Sequence, residues 1–394
     1  SPRRPAGATG TARRTGEAEG IIQILALSFL IQGFTNIATV LFQKELDFKK
    51  QFNFEFWPFM IDMGVTITLI FMWDSVWAIV TGILAGNVAK LILSYCLHSY
   101  RPRLSLDFSK MSGLIHFGKW VMVSTVLLFL LNQGDDLYVA KVIGVGALGL
   151  YSMAYNISNI PATQITNVIS QVTLPAYCKL QHDLARLKKA YLEVLSVTTI
   201  VSFPVAGLLL ALGPLAVPYF FGEAWAPMAL TMQILVVFGL IRSINATVGP
   251  IYLSVGKPKI QTKVVLVQLI AMVALMVPLA GAYGIEGMAI SVVLPSAIAL
   301  VVQTYSLKSV LDIAPKEIVS RLSMTFLATL VSCASMIAII EILSGDALVE
   351  IVVASVVGVA AYASLLYIGH LRGRTHEWQI LSMLLLEAKK LWRA

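Results

Sequence analysis

Seven ionisable side chains interrupt long apolar stretches of the 394-residue chain, namely Asp62, Lys90, Lys119, Asp135, Asp136, Lys141 and Arg242. A charged group inside a membrane span costs at least roughly 2.5 kcal/mol on insertion scales, so each of these residues is a candidate for function. Carboxylates exchange protons and bind cations, whereas lysine and arginine bind anions such as phosphate. These residues therefore predict ligand binding and ion exchange.

The depth of each residue within its apolar stretch separates these candidates. Arg242 lies near the middle of its stretch, with Asn245 one turn later, and is predicted to face a cavity. Lys119 lies closer to an end, from which its ammonium group can reach water. Asp62 and Lys90 fall at similar heights in consecutive antiparallel stretches. They are expected either to form an ion pair or to take part in ion coupling.

One face of the helix predicted around 147–174 is polar. At 100° per residue, an arc of about 120° holds Ser152, Tyr155, Asn156, Asn159, Thr163, Thr166, Asn167 and Ser170. On the preceding helix, Thr125, Asn132 and Asp136 share an arc of about 40°. Because adjacent residues differ by 100°, only one of Asp135 and Asp136 is expected to face this arc, and Asp136 is selected. Two adjacent polar-faced helices predict a water-filled substrate path.

The composition is that of a polytopic membrane protein. Hydrophobic residues make up 58% and charged residues 13% of the chain, whereas soluble domains carry roughly 25% charged residues. Runs of about 20 apolar residues, enough to cross roughly 30 Å of hydrocarbon, occur near 21–42, 57–73, 77–97, 114–142, 147–174, 191–212, 227–253, 264–281, 285–307, 322–343 and 348–369. The sequence therefore predicts an all-α fold with eleven transmembrane helices.

Lysine and arginine are confined to alternate connections between these helices. One set of connections and the C-terminal tail hold 21 of them, and the intervening connections hold none. Cytoplasmic loops carry the excess of basic residues, so this set and the C-terminus are predicted to be cytoplasmic. The odd number of helices then places residues 1–20, interpreted as a disordered basic arm, on the opposite side. This conflict predicts that spans preceding Ile21 are missing.

The sequence offers no catalytic, metal-binding or nucleic-acid-binding pattern. Cys96, Cys178 and Cys333 lack paired spacing, and none lies in a predicted outer loop. The five histidines form no metal motif, and no nucleophile has a base placed beside it. The net charge of +8 resides in the membrane loops and not on a basic face with base-reading side chains, which disfavours nucleic acid. The chain is predicted to be neither an enzyme nor a cofactor protein.

Several short motifs, each weak alone, occur in a specific order along the chain. They are ALSFLIQGFTNIATVLFQKELDFKK at 26–50, D-x-L-x-x-A-x-x-x-G from Asp135 to Gly144, ALGLYSMAYNISNIP at 147–161, TLPAYCKLQ at 173–181, FFGEAW at 220–225 and GIEGMAIS at 284–291. With this set the chain resembles the polysaccharide-exporter branch of the multidrug/oligosaccharidyl-lipid/polysaccharide flippase superfamily, and within it the Wzx-type exporters.

The resemblance implies a MATE-like fold of two six-helix bundles, often followed by two accessory helices. The eleven helices then correspond to the fourth to fourteenth of the family, and the first three are absent. The expected divisions are the arm at 1–20, a three-helix remnant of the first bundle at 21–112, the second six-helix bundle at 113–308, and two accessory helices with a basic amphipathic tail at 309–394.

The implied function is that of a bacterial inner-membrane flippase for lipopolysaccharide or exopolysaccharide synthesis. Such a protein moves undecaprenyl-diphosphate-linked oligosaccharide units between leaflets by alternating access. The polar arc would bind sugars, and Arg242, Lys90 or Lys119 the diphosphate. Asp136 or Asp62 would couple the cycle to protons or Na⁺, and the ion stays open. The implied partners are the lipid-linked oligosaccharide, the bilayer, and the polysaccharide polymerase and chain-length machinery.

Three alternatives remain open. A drug or cation exporter of the same superfamily is expected to have a more aromatic and net acidic cavity. A scaffold of the polymer-export machinery would not transport anything itself. A polymerase or ligase for lipid-linked sugars is expected to carry a large periplasmic loop, whereas the longest outer connection here is 213–225.

Overall fold

The computed structural model describes residues 20–21, 23–45, 47–73, 76–102, 108–343 and 345–371. All regular elements in these ranges are helices. The chain divides into two compact units, Ser1–Asp107 and Phe108–Ala394. The arm predicted before residue 20 and the tail predicted after residue 371 lie outside the described residues.

Four α-helices and one 3₁₀ turn make up the described part of the first unit. They are α1 (Gln23–Gly33), the 3₁₀ turn Ile37–Thr39, α2 (Val40–Glu45), α3 (Phe48–Trp73) and α4 (Trp77–Leu97). The chain bends by 71° between α1 and the segment that starts at Ile37. Asn36 fixes this bend, because its side chain accepts the Ala38 N–H and its own N–H donates to Ser94 Oγ at 3.1 Å. The span predicted at 21–42 is therefore a broken helix.

Small residues let α3 and α4 approach closely. A Cβ at Gly82 or Gly86 of α4 would lie within 3 Å of Asp62 atoms in α3. Small residues are the usual means of close helix contact in membranes, where lipid removes the hydrophobic drive for association.

The second unit begins with a long helix and ends with a helix pair. Its elements are α5 (Phe108–Tyr138), a π-helical turn (Val139–Ile143), α6 (Val145–Ser158), α7 (Ile160–Leu180), α8 (Leu184–Phe221), a 3₁₀ turn (Glu223–Trp225), α9 (Met228–Ser254), α10 (Pro258–Leu311), α11 (Pro315–Leu343) and α12 (Ala347–Leu371). Gly144, with φ of 127°, separates the π-helical turn from α6, in a backbone conformation that glycine adopts without steric cost.

Helix α10 folds back on itself at Gly284. This residue has φ of 58° and ψ of −131°, which no helix accommodates. A Cβ at Gly287 would overlap the carbonyl of Leu279, and Gln268 Nε2 donates to Ser296 Oγ at 2.8 Å across the two arms. The element is therefore an antiparallel pair of helices, as the predicted spans 264–281 and 285–307 require.

Seven helices in the described residues are long and apolar enough to cross a membrane, or eight if the bent segment near Asn36 is one span. The count takes the 54-residue α10 once, although a straight helix of that length would measure about 80 Å. These helices confirm the prediction of an all-α, multi-pass membrane protein. The total of eleven spans stays a prediction.

Hydroxyl and sulfur contacts join the last two helices to the rest of the second unit. Tyr362 of α12 donates its hydroxyl to the carbonyl of Ile200 in α8 at 3.0 Å. Ser332 of α11 donates to the carbonyl of Gly358 in α12 at 2.7 Å. Such contacts stabilise helix pairs in lipid, where an unpaired polar group has no water to turn to.

Candidate substrate path

Arg242 of α9 contacts two polar residues of the predicted arc. Its Nη1 donates to the Tyr155 hydroxyl at 3.2 Å and to Asn159 Oδ1 at 3.3 Å. Asn159 Nδ2 in turn donates to the carbonyl of Tyr155 at 2.9 Å, which fixes the orientation of the amide. We call these three residues the Arg242 cluster. A guanidinium group has five donors, so this geometry leaves donors for a further acceptor.

The break between α6 and α7 positions this cluster. Helix α6 ends at Ser158, whose Oγ donates to the carbonyl of Met232 in α9 at 2.9 Å. A Cβ at Gly239 would lie 2.5 Å from the carbonyl oxygen of Ser158. The glycine therefore allows the main chains of α9 and α6 to touch, one turn before Arg242.

Aromatic rings connect the Arg242 cluster to the start of α6. The Tyr155 ring lies 5.8 Å from the Phe238 ring and 6.3 Å from the Tyr151 ring, measured between centroids. Tyr151 and Tyr155 are one helical turn apart, so they share a face of α6. That face carries the cluster at one end and two carboxylates at the other.

Asp135 and Asp136 of α5 both contact α6, and we call them the carboxylate pair. Tyr151 donates its hydroxyl to Asp135 Oδ2 at 2.8 Å, and Ser152 Oγ donates to Asp136 Oδ1 at 3.2 Å. Asp135 is fully buried, and its Oδ1 has no hydrogen-bond partner within the described residues. Asp136 is half-buried.

The selection of Asp136 over Asp135 was too narrow. The helical offset of 100° separates the two side chains, but α6 presents two adjacent acceptor partners, Tyr151 and Ser152, on either side of its contact with α5. Each carboxylate therefore reaches a different hydroxyl. Asp136 contacts the predicted arc through Ser152, and Asp135 is the more deeply buried of the two.

The cation and the carboxylates of this unit remain apart. In the described part of the chain, no carboxylate oxygen lies within 4.0 Å of Arg242. The pairing with Asp136 that was considered as an alternative is thus not formed. Its alternative pairing with Asp62 joins residues of different units and stays a prediction. Neutral groups alone hold the guanidinium in this unit.

The other residues predicted on the path have different surroundings. Thr163 Oγ1 donates to the carbonyl of Asn159 at 2.9 Å, Asn156 is exposed, and Asn132 is half-buried. Asn245 Oδ1 is buried without a partner among the described residues, one turn from Arg242. The side chains of Thr166, Asn167 and Ser170 lie outside the described residues.

Lys90 of the first unit has a different partner from the one expected. Its Nζ lies 2.9 Å from Glu55 Oε2, two turns before Asp62 on α3. Asp62 accepts from Thr66 Oγ1 at 3.3 Å and packs against the glycines of α4. The contact of α4 with Asp62 falls at Gly82 and Gly86, so the lysine one turn further on meets Glu55. The predicted Asp62–Lys90 pair is therefore not formed.

Sequence reasoning missed three residues that shape the path. Phe238, Ser158 and Gly239 pack around Tyr155 and the helix break. A signal was present for one of them, because Gly239 and Ser243 form a small-xxx-small pattern that is typical of close helix contacts. Tertiary packing alone places the other two.

Comparison with known families decides the broad assignment. A family model described as "Polysaccharide biosynthesis protein" matches residues 13–230. The chain belongs to this polysaccharide biosynthesis protein family. Arg242 follows the matched segment, whereas the carboxylate pair, Tyr155 and Asn159 lie inside it. The predicted resemblance to polysaccharide exporters is confirmed.

Curated members of this kind have printed names that refer to surface polysaccharides. Lipopolysaccharide biosynthesis protein WzxC of Escherichia coli (strain K12) is 27% identical over 245 residues, covering 62% of this chain and 50% of that protein. Teichuronic acid biosynthesis protein TuaB of Bacillus subtilis (strain 168) is 25% identical over 239 residues, covering 60% and 50%. The chain thus spans about half the length of these relatives.

A solved structure shows the same fold. The lipid II flippase MurJ in its inward closed conformation matches with a TM-score of 0.58 and 15% identity, over 80% of this chain and 68% of that one. At this identity the match concerns the fold alone. It confirms the fold class predicted for a polysaccharide biosynthesis family member.

Proposed function

We propose that the protein flips a lipid-linked oligosaccharide across the bacterial inner membrane, from the cytoplasmic to the periplasmic leaflet. The observation that carries this proposal is Arg242, a guanidinium held by Tyr155 and Asn159 with no carboxylate within 4.0 Å among the described residues. A permanent cation of this kind, with donors to spare, suits the diphosphate of a polyprenyl carrier.

The neutral face of α6 suits the sugar part of such a substrate. Tyr155, Asn159 and Ser152 offer hydroxyl and amide groups, which donate to and accept from sugar hydroxyls. The relatives whose names refer to lipopolysaccharide and teichuronic acid biosynthesis support a saccharide substrate. The polyprenyl tail would stay in lipid while the head passes along this face by alternating access. Nothing in this mechanism requires the protein to make or break a covalent bond.

The carboxylate pair supplies the coupling step in this proposal. Asp136 is half-buried and Asp135 is fully buried on the same helix, so a change of access to water would change which of them holds a proton or Na⁺. Asp62 of the first unit remains a second candidate for this role. The basic connections and the C-terminus face the cytoplasm, as the distribution of lysine and arginine favours.

Export of polymer in a strain that depends on this protein tests the proposal. Arg242→Lys keeps the charge but loses the planar fork, so export should fall at least about tenfold at unchanged protein abundance. The matched control is Arg186→Lys, on a side chain that is 78% exposed, and it should leave export unchanged. Normal export by both Arg242→Lys and Arg242→Ala would refute the proposal.

The same strains separate flipping from the competing functions. A drug or cation exporter predicts that Arg242→Lys changes drug tolerance but not polymer export. A scaffold predicts that export survives any substitution that leaves abundance and assembly intact. For the flippase, lipid-linked oligosaccharide should accumulate on the cytoplasmic side when Arg242 is replaced.

A further inference from the structure

A second basic site lies away from the Arg242 cluster, where α5 meets the start of α10. A cavity of about 610 Å³ opens between His116 and Trp120 of α5 and Lys257, Lys259 and Lys263 around the first turns of α10. No carboxylate lines it. The cavity therefore concentrates positive charge beside one large aromatic ring.

The lysines of this cavity are not neutralised by neighbours. Lys259 Nζ lies 5.1 Å from the Trp120 ring centroid, and Lys119 Nζ lies 5.7 Å from it. Among the described residues, neither these two lysines nor Lys257 and Lys263 have a carboxylate within 4.0 Å. By contrast, the basic side chains Lys50, Lys90, Arg186, Lys188 and Lys189 all do.

The walls of the cavity are held in place by hydrogen bonds. The carbonyl of Trp120 accepts from Ser124 Oγ at 2.8 Å and from Thr262 Oγ1 at 3.0 Å. On the opposite wall, the Lys257 N–H donates to the carbonyl of Tyr252 at 2.7 Å. The aromatic ring and the lysine-bearing turn are therefore positioned before any ligand arrives, which lowers the entropic cost of binding.

The position and chemistry of the cavity indicate its ligand. Its lysines belong to the basic connections predicted to face the cytoplasm, and each lysine near an anionic leaflet contributes about 1 kcal/mol of attraction. Tryptophan favours the membrane–water interface. We infer that this cavity binds the phosphate of an anionic lipid headgroup from the inner leaflet.

This inference does not rest on the proposed transport function. A resident phospholipid such as phosphatidylglycerol would satisfy the site without being moved across the membrane. The shared chemistry is a phosphate ester between lysines and an indole ring, so a free phosphate compound is the other source that an experiment must separate.

Binding of fluorescent phosphatidylglycerol to the purified full chain in neutral detergent tests the inference. The double variant Lys259→Ala/Lys263→Ala should bind about tenfold more weakly. Both side chains are exposed, so folding should be retained, and size-exclusion chromatography checks this. The control Lys308→Ala/Lys316→Ala removes the same charge from exposed positions of the same predicted membrane face. It should change the affinity less than about twofold.

Three further results complete the test. Trp120→Leu keeps every charge but should weaken binding, which a diffuse electrostatic attraction would not predict. Equal losses in the two double variants, or no loss in either, would overturn the site. Displacement of the labelled lipid by inorganic phosphate at the same concentration as by unlabelled phosphatidylglycerol would overturn the lipid assignment. Failure of the Arg242 experiment would leave all these measurements unaffected.

Discussion

The Tyr151 hydroxyl donates a 2.8 Å hydrogen bond to Oδ2 of Asp135, and both side chains are fully buried. This bond joins α5 to α6 at a point where no water is close enough to replace it. The second oxygen of Asp135 has no partner in the described part of the chain. The tyrosine is therefore the main contact that makes this buried carboxyl group tolerable.

Tyr151→Phe should lower the free energy of unfolding by about 1–3 kcal/mol, because a buried acceptor loses its donor. Thermal unfolding in detergent measures the change. Ser152→Ala is the matched control, since it removes the longer 3.2 Å bond to half-buried Asp136, and it should cost less. In the Tyr151→Phe background, Asp135→Asn should cost less than in the parent. Strict additivity of the two changes would contradict the interaction.

Gly239→Ala should destabilise the contact of α9 with the end of α6. The added methyl would lie 2.5 Å from the Ser158 carbonyl oxygen, and such overpacking costs about 1–3 kcal/mol. Gly249→Ala, on the same helix with open space around it, is the control and should be neutral or slightly stabilising. Comparable melting temperatures for the two variants would show that the helices do not touch at Gly239.

The ion pair of Lys188 and Glu317, with 2.9 Å between Nζ and Oε1, predicts a pH dependence of stability. The Lys188 hydrogen bond, assisted by the Ala314 N–H, holds the pKa of Glu317 below its ordinary value. Because the pKa is lowered on folding, the stabilisation is complete above the unfolded pKa and is lost as the pH falls through the folded one.

Lys188→Met should therefore reduce stability at pH 7 by about 0.5 kcal/mol, a value suited to a partly exposed pair. The deficit should vanish below about pH 4, where the carboxylate is protonated in both proteins. Lys189→Met is the control, because its side chain is 81% exposed and lies 4.0 Å from Glu193. A deficit that persists at low pH would assign the effect to packing of the lysine stem.

Impermeant maleimide on intact cells should label Ala224→Cys and spare native Cys178. Ala224 lies in the 3₁₀ turn between α8 and α9, in a connection without lysine or arginine. Cys178 is exposed and lies beside a basic connection, so it serves as the inner control. Peptide mapping identifies the modified site. Labelling of Cys178 alone would invert the predicted orientation.

Periodicity predicted much of the candidate site. Tyr155, Asn159 and Arg242 were each selected from the sequence, and the structure joins them by hydrogen bonds. A polar face on an apolar helix and a cation at mid-span are strong local signals, because each costs free energy unless a partner or water is present. The predicted boundaries at 112 and 308 stay a prediction.

Pairings between helices were harder to predict than faces. Lys90 meets Glu55 and not Asp62 because the register of α3 and α4 is set by Gly82 and Gly86. Sequence alone gave heights along each helix but not this offset. The cavity beside Trp120 likewise depends on how α5 meets the start of α10.

The reversal at Gly284 also bears on how the chain enters the membrane. The two arms of α10 are joined without a long connection, and the Gly287–Leu279 approach closes them tightly. The residues at this tip include no lysine or arginine, so little opposes their passage across the bilayer. The hairpin is thus suited to insert during biogenesis as one unit, with both arms already shielding each other's polar backbone from lipid.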